Sequence, residues 1–258
     1  MQENLTVESP LVILQISDLH ILASQGKTMA GVDTEHSFIS LLEYLHCTYN
    51  TIDLLLVTGD LAENPSQSSY QRIYQAHNTY QTRTICLPGN HDDFTLMRQI
   101  FADKKINCDK QLQFKHWQII CLNSQKIGSA KGYLATSELD YLTDSLNRHP
   151  ELNVLIAVHH PPIPTDSQWM DTMMIENSDE LFLRLKGRTQ VKAITCGHIH
   201  QEMEGKEQDK IILGTPSTCF QFKPFSDEYE LDNRKPGYRI FLLHSNGQFE
   251  SAVHRLPA

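Results

Sequence analysis

The chain has 258 residues, which is enough to bury one large core, and we expect a single domain over 1–258. Its 22 basic and 31 acidic residues give a net charge of −9 without a basic block, which argues against a long nucleic-acid partner. No run approaches the roughly 20 apolar residues of a membrane span, and residues 1–5 lack a signal-peptide pattern. A cytoplasmic protein without a membrane partner is therefore expected.

The first part of the chain alternates short apolar runs with amphipathic segments. The apolar runs predict strands at 11–16, 54–57 and 84–87. The spacing of apolar side chains predicts helices that begin after Asp33, cover 66–80 and begin at Phe94. Asp33 is expected to cap the first of these helices, and His77 in the second is predicted to be a surface or packing residue.

The second part continues the same alternation. Strands are predicted at 117–122, 154–158, 191–196, 211–213 and 238–243. Helices are predicted at 137–147, with Ser137 as the cap, and at 179–185. Residues 215–258 are interpreted as a strand-rich C-terminal extension of the same domain. The order of elements favours an α/β layered domain with at least part of the sheet parallel.

The six cysteines include no Cys-x-x-Cys pair, and Cys86, Cys121 and Cys196 lie inside apolar runs. Buried free thiols are therefore expected rather than a disulfide framework or a thiolate metal site.

Residues able to bind metal ions or phosphate follow five of the predicted strands. They are Asp18, His20, Asp60, Asn90, His91, His159, His198 and His200. In open α/β sheets the residues just beyond the carboxyl ends of the strands converge on one crevice. Each residue alone has a plainer interpretation as a turn former or a surface histidine, but five such strand ends together favour a common site.

The types of side chain indicate the kind of site. Imidazole nitrogens with carboxylate and amide oxygens suit Mn, Fe or Zn, whereas a structural zinc site would use thiolates. Seven ligands are too many for one catalytic ion that keeps an open position. Two divalent ions per chain that share a bridging carboxylate are the economical solution, and ion pairs about 3.5–4 Å apart catalyse in-line displacement at phosphorus.

Five motifs follow one another in a fixed order: Asp18-Leu19-His20, Gly59-Asp60, Gly89-Asn90-His91-Asp92, His159-His160-Pro161 and Gly197-His198-Ile199-His200. In this order they resemble the motif set of the calcineurin-like metallophosphoesterases. Three further segments are similar to the bacterial class III 3′,5′-cyclic AMP phosphodiesterases. They are Gly31-Val32-Asp33-Thr34, Ser167-Gln168-Trp169-Met170-Asp171 and 215–224.

The resemblance implies a four-layer α/β/β/α sandwich with two central mixed sheets. It also implies that one ion is held by Asp18, His20, Asp60 and His200. The other ion would be held by Asp60, Asn90, His159 and His198. Asp60 would bridge the two ions, with Fe or Mn as the first expectation and Zn as an alternative. The histidine-x-proline pattern of the family selects His159 as a ligand, and His160 is the open alternative.

The implied reaction is hydrolysis of 3′,5′-cyclic AMP to 5′-AMP by attack of a metal-bridging hydroxide on phosphorus. His91 would be the catalytic residue, as proton donor to the leaving alkoxide or as a donor to the phosphoryl charge. Asp92 either holds His91 or caps a turn. The substrate is expected to contact His20, Asp60, Asn90, His91 and His200. Two interpretations are open for the aromatic residues Trp169, Phe220 and Phe222. They form a wall on which the base stacks, or they make core and dimer contacts.

Other functions stay open at this point. The motifs define metals and phosphoryl chemistry but not the leaving group, so a broader phosphodiesterase or phosphomonoesterase is the main alternative. A phosphoprotein phosphatase is disfavoured, because Leu61-Ala62-Glu63 follows Asp60 without the arginine of that family. A non-enzymatic scaffold would be expected to lose ligands, and this chain keeps all of them. A monomer and a homodimer are both compatible with the sequence.

Overall fold

The apolar runs form strands that belong to two six-stranded sheets. The structure is a computed structural model that describes residues 8–80 and 82–257, so the N-terminal residues 1–5 discussed above lie outside the described part. The strands are β1 (Leu11–Ile16), β2 (Leu54–Thr58), β3 (Thr84–Leu87), β4 (Ile106–Asn107), β5 (Gln111–Gln113), β6 (Trp117–Cys121), β7 (Asn153–Val158), β8 (Val191–Cys196), β9 (Met203–Glu207), β10 (Lys210–Gly214), β11 (Gln221–Phe222), β12 (Leu231–Asp232), β13 (Gly237–Leu243) and β14 (Phe249–Arg255).

The helices lie between these strands. They are α1 (Thr34–Thr48), α2 (Gln67–Tyr80), α3 (Phe94–Ile100), α4 (Thr136–Arg148), α5 (Gln168–Asp171) and α6 (Ser178–Leu185). Every predicted strand and helix is present, and the predicted ends lie within one residue of the observed ends. The short elements β4, β5, β11, β12 and α5 and the polar edge strands β9 and β14 are not predicted by apolar periodicity.

Both sheets are mixed. The first sheet has the strand order β14-β13-β1-β2-β3-β4, and the second has the order β5-β6-β7-β8-β10-β9. Strands β1 to β4 run parallel, as do β6, β7, β8 and β10, whereas the remaining pairs at the sheet edges are antiparallel. Within each sheet the parallel strands therefore end at one common edge, where the connecting loops meet.

Alternating side chains along the strands build three apolar layers. Ile13 and Leu56 of the first sheet pack with Ile119 and Leu155 of the second, which forms the layer between the sheets. Helices α1, α2 and α3 cover the other face of the first sheet, and α4 and α6 cover the other face of the second. The predicted four-layer α/β/β/α sandwich with two mixed central sheets is confirmed.

Of the two helix-capping residues predicted from the sequence, one caps its helix in the structure and the other does not. The side chain of Asp33 accepts a hydrogen bond from the His36 amide (3.0 Å) and caps α1 as predicted. The prediction for Ser137 is wrong, because α4 begins one residue earlier. Its first turn is organised by the carbonyl of Ala135, which accepts hydrogen bonds from the amides of Glu138 and Leu139.

The C-terminal segment continues the first sheet, since β13 pairs with β1 and β14 pairs with β13. The assignment of all of 1–258 to one domain stays a prediction. All six cysteines are free thiols; four of them are buried, Cys108 is partly buried and Cys47 is exposed. Within 8–80 and 82–257 no helix is both long enough and apolar enough to cross a membrane.

Candidate active site

The segments that follow β1 and β2 stay paired beyond the ends of the strands. The Asp18 amide donates to the Gly59 carbonyl (3.0 Å), and the His20 amide donates to the Asp60 carbonyl (2.9 Å). Asp18, His20 and Asp60 all have left-handed backbone, with φ of 56°, 46° and 51°. His198 and His200 after β8 share this feature. Left-handed backbone is uncommon outside glycine, and its concentration at one place is typical of functional sites.

Two glycines allow these segments to approach one another. A Cβ on Gly89 would overlap the carboxylate of Asp60. A Cβ on Gly59, whose φ is 94°, would overlap the imidazole of His159. Glycine at these two positions therefore lets side chains from different loops come together without an intervening Cβ.

One cluster of ligand atoms joins three side chains of the first sheet to His200 of the second. His20 Nε2 lies 3.2 Å from His200 Nε2 and 3.9 Å from Asp60 Oδ2. His200 Nε2 also lies 3.4 Å from Asp18 Oδ1. All four side chains are buried. They are the four residues that the family resemblance assigns to one ion.

A second cluster shares Asp60 with the first. His159 Nε2 lies 3.3 Å from Asp60 Oδ2, 3.2 Å from Asn90 Oδ1 and 3.3 Å from His198 Nδ1. His198 is tied to the first cluster as well, because its amide donates to Asp18 Oδ2 (3.0 Å). The structure thus brings all seven predicted ligands together in two groups that meet at Asp60.

In three imidazoles the hydrogen bond formed by Nδ1 determines that Nε2 is the nitrogen that faces the site. His159 Nδ1–H donates to the Thr58 carbonyl (2.7 Å), and His200 Nδ1–H donates to the Phe220 carbonyl (2.9 Å). His20 Nδ1–H donates to Glu63 Oε2 (2.8 Å). In the neutral rings each Nε2 then carries a lone pair that points into the site.

The Nε2 atoms that face the site are therefore hydrogen-bond acceptors, and they lie opposite other acceptors. The Nε2 lone pairs of His20 and His200 meet at 3.2 Å, and the Nε2 lone pair of His159 meets the amide oxygen of Asn90 at the same distance. Such pairs repel one another unless a proton or a metal cation lies between them. The donor set, nitrogen and oxygen without thiolate, fits divalent ions of the Mn, Fe or Zn type.

The pKa values of His159 and Asp60 show that positive charge is favoured beside the Asp60 carboxylate. Burial acts against protonation of His159, but the Asp60 carboxylate outweighs it and raises the pKa of His159 to about 9. Burial also acts against ionisation of Asp60, yet His159 and the other imidazoles hold the pKa of its carboxyl well below the usual range. The field of two buried carboxylates therefore attracts a cation to this place.

His160 differs from His159 in its surroundings. His160 Nδ1 forms a hydrogen bond with the Ser124 hydroxyl (2.7 Å), and its Nε2 has no hydrogen-bond partner within the described part of the chain. Burial and the neighbouring His159 hold the pKa of His160 well below the usual range. Of the two histidines, His159 is the one whose Nε2 lies against Asp60 and Asn90, which favours it as the ligand.

His91 lies at the edge of the clusters and is about one third exposed. Its amide donates to Asp60 Oδ1 (2.9 Å), and its Nδ1 lies 3.1 Å from Glu63 Oε2. One oxygen of Glu63 thus contacts both His20 and His91. Sequence reasoning missed Glu63 as a site residue, because its contacts with His20 and His91 come from loop geometry rather than from spacing along a strand.

Asp92 contacts the backbone and a tyrosine rather than His91. Its carboxylate accepts hydrogen bonds from the amides of Leu61, Ala62 and Gly89 and from the Tyr70 hydroxyl. The interpretation that Asp92 holds His91 is therefore wrong, and its alternative role in stabilising the turn is observed. Burial and the nearby Asp60 carboxylate raise the pKa of Asp92 to about 6.

A cavity of about 180 Å³ opens onto the clusters. It contacts all five predicted substrate-binding residues: His20, Asp60, Asn90, His91 and His200. Trp169, Phe220 and Phe222, for which the sequence leaves stacking open, line it too. Phe222 stacks on the His200 ring with centroids 4.3 Å apart. The ligand His198 also lines the cavity, as do Met29, Ala130, Met170, Met173 and Tyr229, which were not singled out by their spacing.

Comparison with known proteins agrees with this geometry. The profile of the family described as calcineurin-like phosphoesterase matches residues 11–202. The chain belongs to the calcineurin-like phosphoesterase family. Its membership makes it a hydrolase, and the five motifs that suggested the family all lie within the matched range.

Two bacterial relatives are similar over nearly their whole length. The 3′,5′-cyclic-nucleotide phosphodiesterase of Nostoc sp. is 36% identical, with 96% of this chain and 93% of the relative covered. The 3′,5′-cyclic adenosine monophosphate phosphodiesterase CpdA of Escherichia coli K12 is 36% identical, with 96% and 91% covered. Among solved structures, a dimetal phosphatase from Danio rerio has the same fold, with a TM-score of 0.65, 10% identity and 96% and 99% of the two chains covered.

Proposed function

We propose that this enzyme hydrolyses 3′,5′-cyclic AMP to 5′-AMP with two divalent metal ions held by the two clusters. The observation that carries the proposal is the meeting of the clusters at Asp60, whose Oδ2 lies 3.3 Å from His159 Nε2 and 3.9 Å from His20 Nε2. Both imidazoles face the same oxygen of Asp60, so this one carboxylate would contribute to both proposed ions. The names of the relatives at 36% identity support the cyclic nucleotide as substrate.

The contacts between the seven proposed ligands divide them into two sets, one for each ion, with Asp60 in both sets. One ion is assigned to Asp18, His20, Asp60 and His200. The other is assigned to Asp60, Asn90, His159 and His198. When bound, the ions supply the positive charge that lowers the pKa of a water and stabilises the phosphoryl oxygens.

The reaction adds one water across one ester bond. The water oxygen bonds to phosphorus, the bond from phosphorus to O3′ breaks, the water loses a proton and O3′ gains one. His91 is the group placed to give that proton, because it lines the cavity; in the doubly protonated ring Nδ1–H faces Glu63 Oε2, 3.1 Å away, and Nε2–H is the proton that can be given. A general acid of this kind typically contributes about 10²–10⁴-fold in rate.

The protein around the clusters orients and shields them. The carbonyls of Thr58 and Phe220 hold His159 and His200. Burial of six of the seven ligands, all except the partly buried Asn90, keeps bulk water from competing for their lone pairs. The mouth of the cavity, with His91 partly exposed, is the side from which the phosphate enters.

A panel of substrates tests the proposal against the alternative of a broader phosphodiesterase or phosphomonoesterase. Purified, Mn-loaded protein is assayed with cyclic AMP, cyclic GMP, 5′-AMP and an artificial phosphodiester. We expect cyclic AMP to be turned over fastest among the natural compounds and 5′-AMP to be left almost untouched. Faster hydrolysis of 5′-AMP than of cyclic AMP would contradict the proposal and favour a phosphomonoesterase.

Metal analysis on the same protein tests the dinuclear assignment. We expect close to two divalent ions per chain, with Fe, Mn and Zn all chemically acceptable to this ligand set. One ion per chain would contradict the bridging role of Asp60. The cytoplasmic location and the choice between a monomer and a homodimer stay predictions.

A further inference from the structure

The segment that follows β10 is polar and yet buried. Ser217 and Thr218 are fully shielded from solvent, and Cys219 is 2% exposed. They belong to the stretch 215–224 that the sequence singles out, and the proposed function gives none of these three side chains a role. Buried polar side chains normally have hydrogen-bond partners inside the protein, so their partners indicate what the segment does.

The three side chains converge on one main-chain oxygen, the carbonyl of Asp18. The Ser217 hydroxyl donates to this oxygen (2.8 Å), and the Cys219 thiol and the Thr218 hydroxyl donate to it over 3.3 and 3.4 Å. The Ser217 oxygen also accepts from the Cys219 amide (2.9 Å). A carbonyl oxygen has two lone pairs, so the Asp18 carbonyl is surrounded by more donors than it can fully use, with Ser217 the nearest.

Asp18 needs such support because its backbone is left-handed, with φ of 56°. For a residue with a Cβ this conformation costs free energy, and it persists only where surrounding contacts hold it. The amide of Thr218 also donates to the carbonyl of Ser17 (3.0 Å), the residue before Asp18. Because the backbone of Asp18 sets the direction of its side chain, the segment acts through this backbone on the carboxylate, which lies 3.4 Å from His200 Nε2.

Phe220 extends the contact to two more ligands of the first cluster. Its carbonyl accepts from His200 Nδ1–H (2.9 Å), and its ring stacks on His20 with centroids 5.7 Å apart. Residues 217–220 therefore contact three of the four residues assigned to one ion. Within 8–80 and 82–257 they form no hydrogen bond with the three ligands that belong to the second cluster alone. The support is thus directed at one of the two proposed ions.

The segment is itself held from other parts of the chain. The Ser37 hydroxyl of α1 donates to the Thr218 carbonyl (2.5 Å). The Gly237 amide of β13 and the side-chain amide of Gln221 both donate to the Ser217 carbonyl, at 3.0 and 2.8 Å. A donor on an anchored segment can hold a neighbouring ligand in place, whereas a donor on a free loop would move with it.

We propose that Ser217 is a positioning residue for the metal ion of the first cluster, supported by Thr218 and Cys219. Its hydroxyl keeps Asp18 in the left-handed conformation that directs the carboxylate at the ion. This inference rests on the two-ion assignment of the proposed function and names the part of the chain that controls the affinity for one ion but not for the other. Holding a ligand in its bound conformation lowers the cost of ordering the site when the ion binds.

The test measures metal affinity. Metal-free wild-type protein and Ser217→Ala are titrated with Mn²⁺ by calorimetry, and bound Mn²⁺ is followed by electron paramagnetic resonance, in which a coupled pair and a single ion give different signals. Residues that orient metal ligands typically contribute about 10–100-fold to metal affinity. We expect Ser217→Ala to bind one ion more weakly by this factor and the other with unchanged affinity, so that the signal of the pair requires correspondingly more Mn²⁺.

Double variants identify the ion that is weakened. His159→Ala leaves the first cluster intact, and adding Ser217→Ala to it should weaken the remaining ion about 10–100-fold. His200→Ala removes a ligand of the first cluster, and adding Ser217→Ala to it should leave the affinity of the remaining ion unchanged. The opposite pattern, or equal weakening of both ions in Ser217→Ala, would overturn the proposal.

A buried serine on α4, Ser145, provides the matched control. Ser145→Ala should bind both ions as the wild type does. A loss as large as that of Ser217→Ala would show a general effect of removing a buried hydroxyl and overturn the proposal.

Thr218→Val keeps the shape of the side chain and removes only the longer contact with Asp18. It should weaken the same ion about two- to fivefold. This variant carries the test when Ser217→Ala does not fold, and unchanged affinity for both ions in Thr218→Val would then overturn the proposal.

The titrations separate failure of this inference from failure of the proposed function. A wild-type protein that binds two ions but does not hydrolyse cyclic AMP contradicts the proposed function, and the affinities of Ser217→Ala still decide the inference. Two ions of unchanged affinity in Ser217→Ala contradict the inference alone. A single ion in the wild-type protein would overturn both.

Discussion

The two sheets contribute different chemistry to the same site. Loops at the ends of β1, β2 and β3 supply Asp18, His20, Asp60 and Asn90, which are mostly oxygen donors. Loops at the ends of β7 and β8 supply His159, His198 and His200, which are all nitrogen donors. Each proposed ion takes ligands from both sheets, so neither sheet alone can hold one. The site therefore depends on how the two sheets are aligned.

The sheets also differ in how their imidazoles are held. Two of the imidazoles that follow strands of the second sheet, His159 and His200, are held by main-chain carbonyls, those of Thr58 and Phe220. In the first sheet, the side chain of Glu63 holds His20. A main-chain carbonyl cannot be removed by substitution, whereas a carboxylate can. A substitution can therefore alter the orientation of His20, a ligand from the first sheet, without changing the backbone.

Buried polar side chains link the sheets directly beneath the site. The Gln15 amide donates to the Thr58 hydroxyl (2.8 Å), and the Thr195 hydroxyl donates to the Gln15 side-chain oxygen (2.5 Å). Thr58 belongs to β2 and Thr195 to β8. A satisfied polar network inside an apolar layer specifies one arrangement of the two sheets, which keeps the two sets of ligands in register.

The largest expected effect is at the residue that both clusters share. Asp60→Ala removes ligand atoms from both proposed ions, and the loss of metal should lower kcat/KM for cyclic AMP by about 10⁴-fold, equivalent to several kcal/mol of transition-state stabilisation. Metal analysis of the purified variant should show fewer than two ions per chain. The exposed Asp144 on α4 provides the control, because Asp144→Ala should keep both metal and activity.

If Asp60→Ala lost activity but kept its full metal content, Asp60 would not be a ligand shared by the two clusters. The same measurement on His159→Ala sharpens the comparison. His159 Nε2 lies against Asp60 and Asn90 of the second cluster, so its loss should empty one site and leave the other ion in place.

His91 should give a smaller effect without loss of metal. Because His91 lines the cavity and contacts no proposed ion in our assignment, His91→Ala should keep two ions per chain and lose about 10²–10³-fold in kcat for cyclic AMP. A phosphodiester with a 4-nitrophenolate leaving group needs little proton donation, so its turnover should fall much less. Equal losses for both substrates would contradict proton donation to the leaving oxygen, and an emptied metal site would contradict the division of roles.

The sequence predicts much of this arrangement because buried parallel strands are apolar runs with sharp ends. Once those runs are identified, Asp18, Asp60 and His159 fall just beyond them, and convergence of strand ends follows from the architecture. The role of Glu63 could not be predicted in the same way. Its carboxylate meets His20 from another loop and His91 from a third, and such contacts depend on loop geometry that periodicity does not contain.

The apolar half of the cavity was equally hard to predict. Met29, Met173 and Tyr229 come from three distant segments, and each alone is typical of an ordinary surface or core position. The start of α4 was predicted wrongly for a related reason. A serine at the right distance from an apolar repeat suggests a cap, but the turn at Ala135 begins the helix before Ser137 is reached.

The smallest effect should come from substitution of Glu63, whose carboxylate contacts His20 and His91. Glu63→Gln removes a negative charge that raises the pKa of His20 against the effect of burial, and it weakens the contact with His91. Residues that orient metal ligands typically contribute about 10–100-fold in activity or metal affinity, and we expect a loss of this size in kcat/KM. Glu35→Gln is the matched control, since Glu35 is similarly buried at 15% exposure against 19% for Glu63 and pairs with Arg72 rather than with a histidine of the site. Equal activities of the two variants would mean that His20 and His91 are positioned by the backbone alone, as the imidazoles of the second sheet are, and the difference between the two halves would disappear.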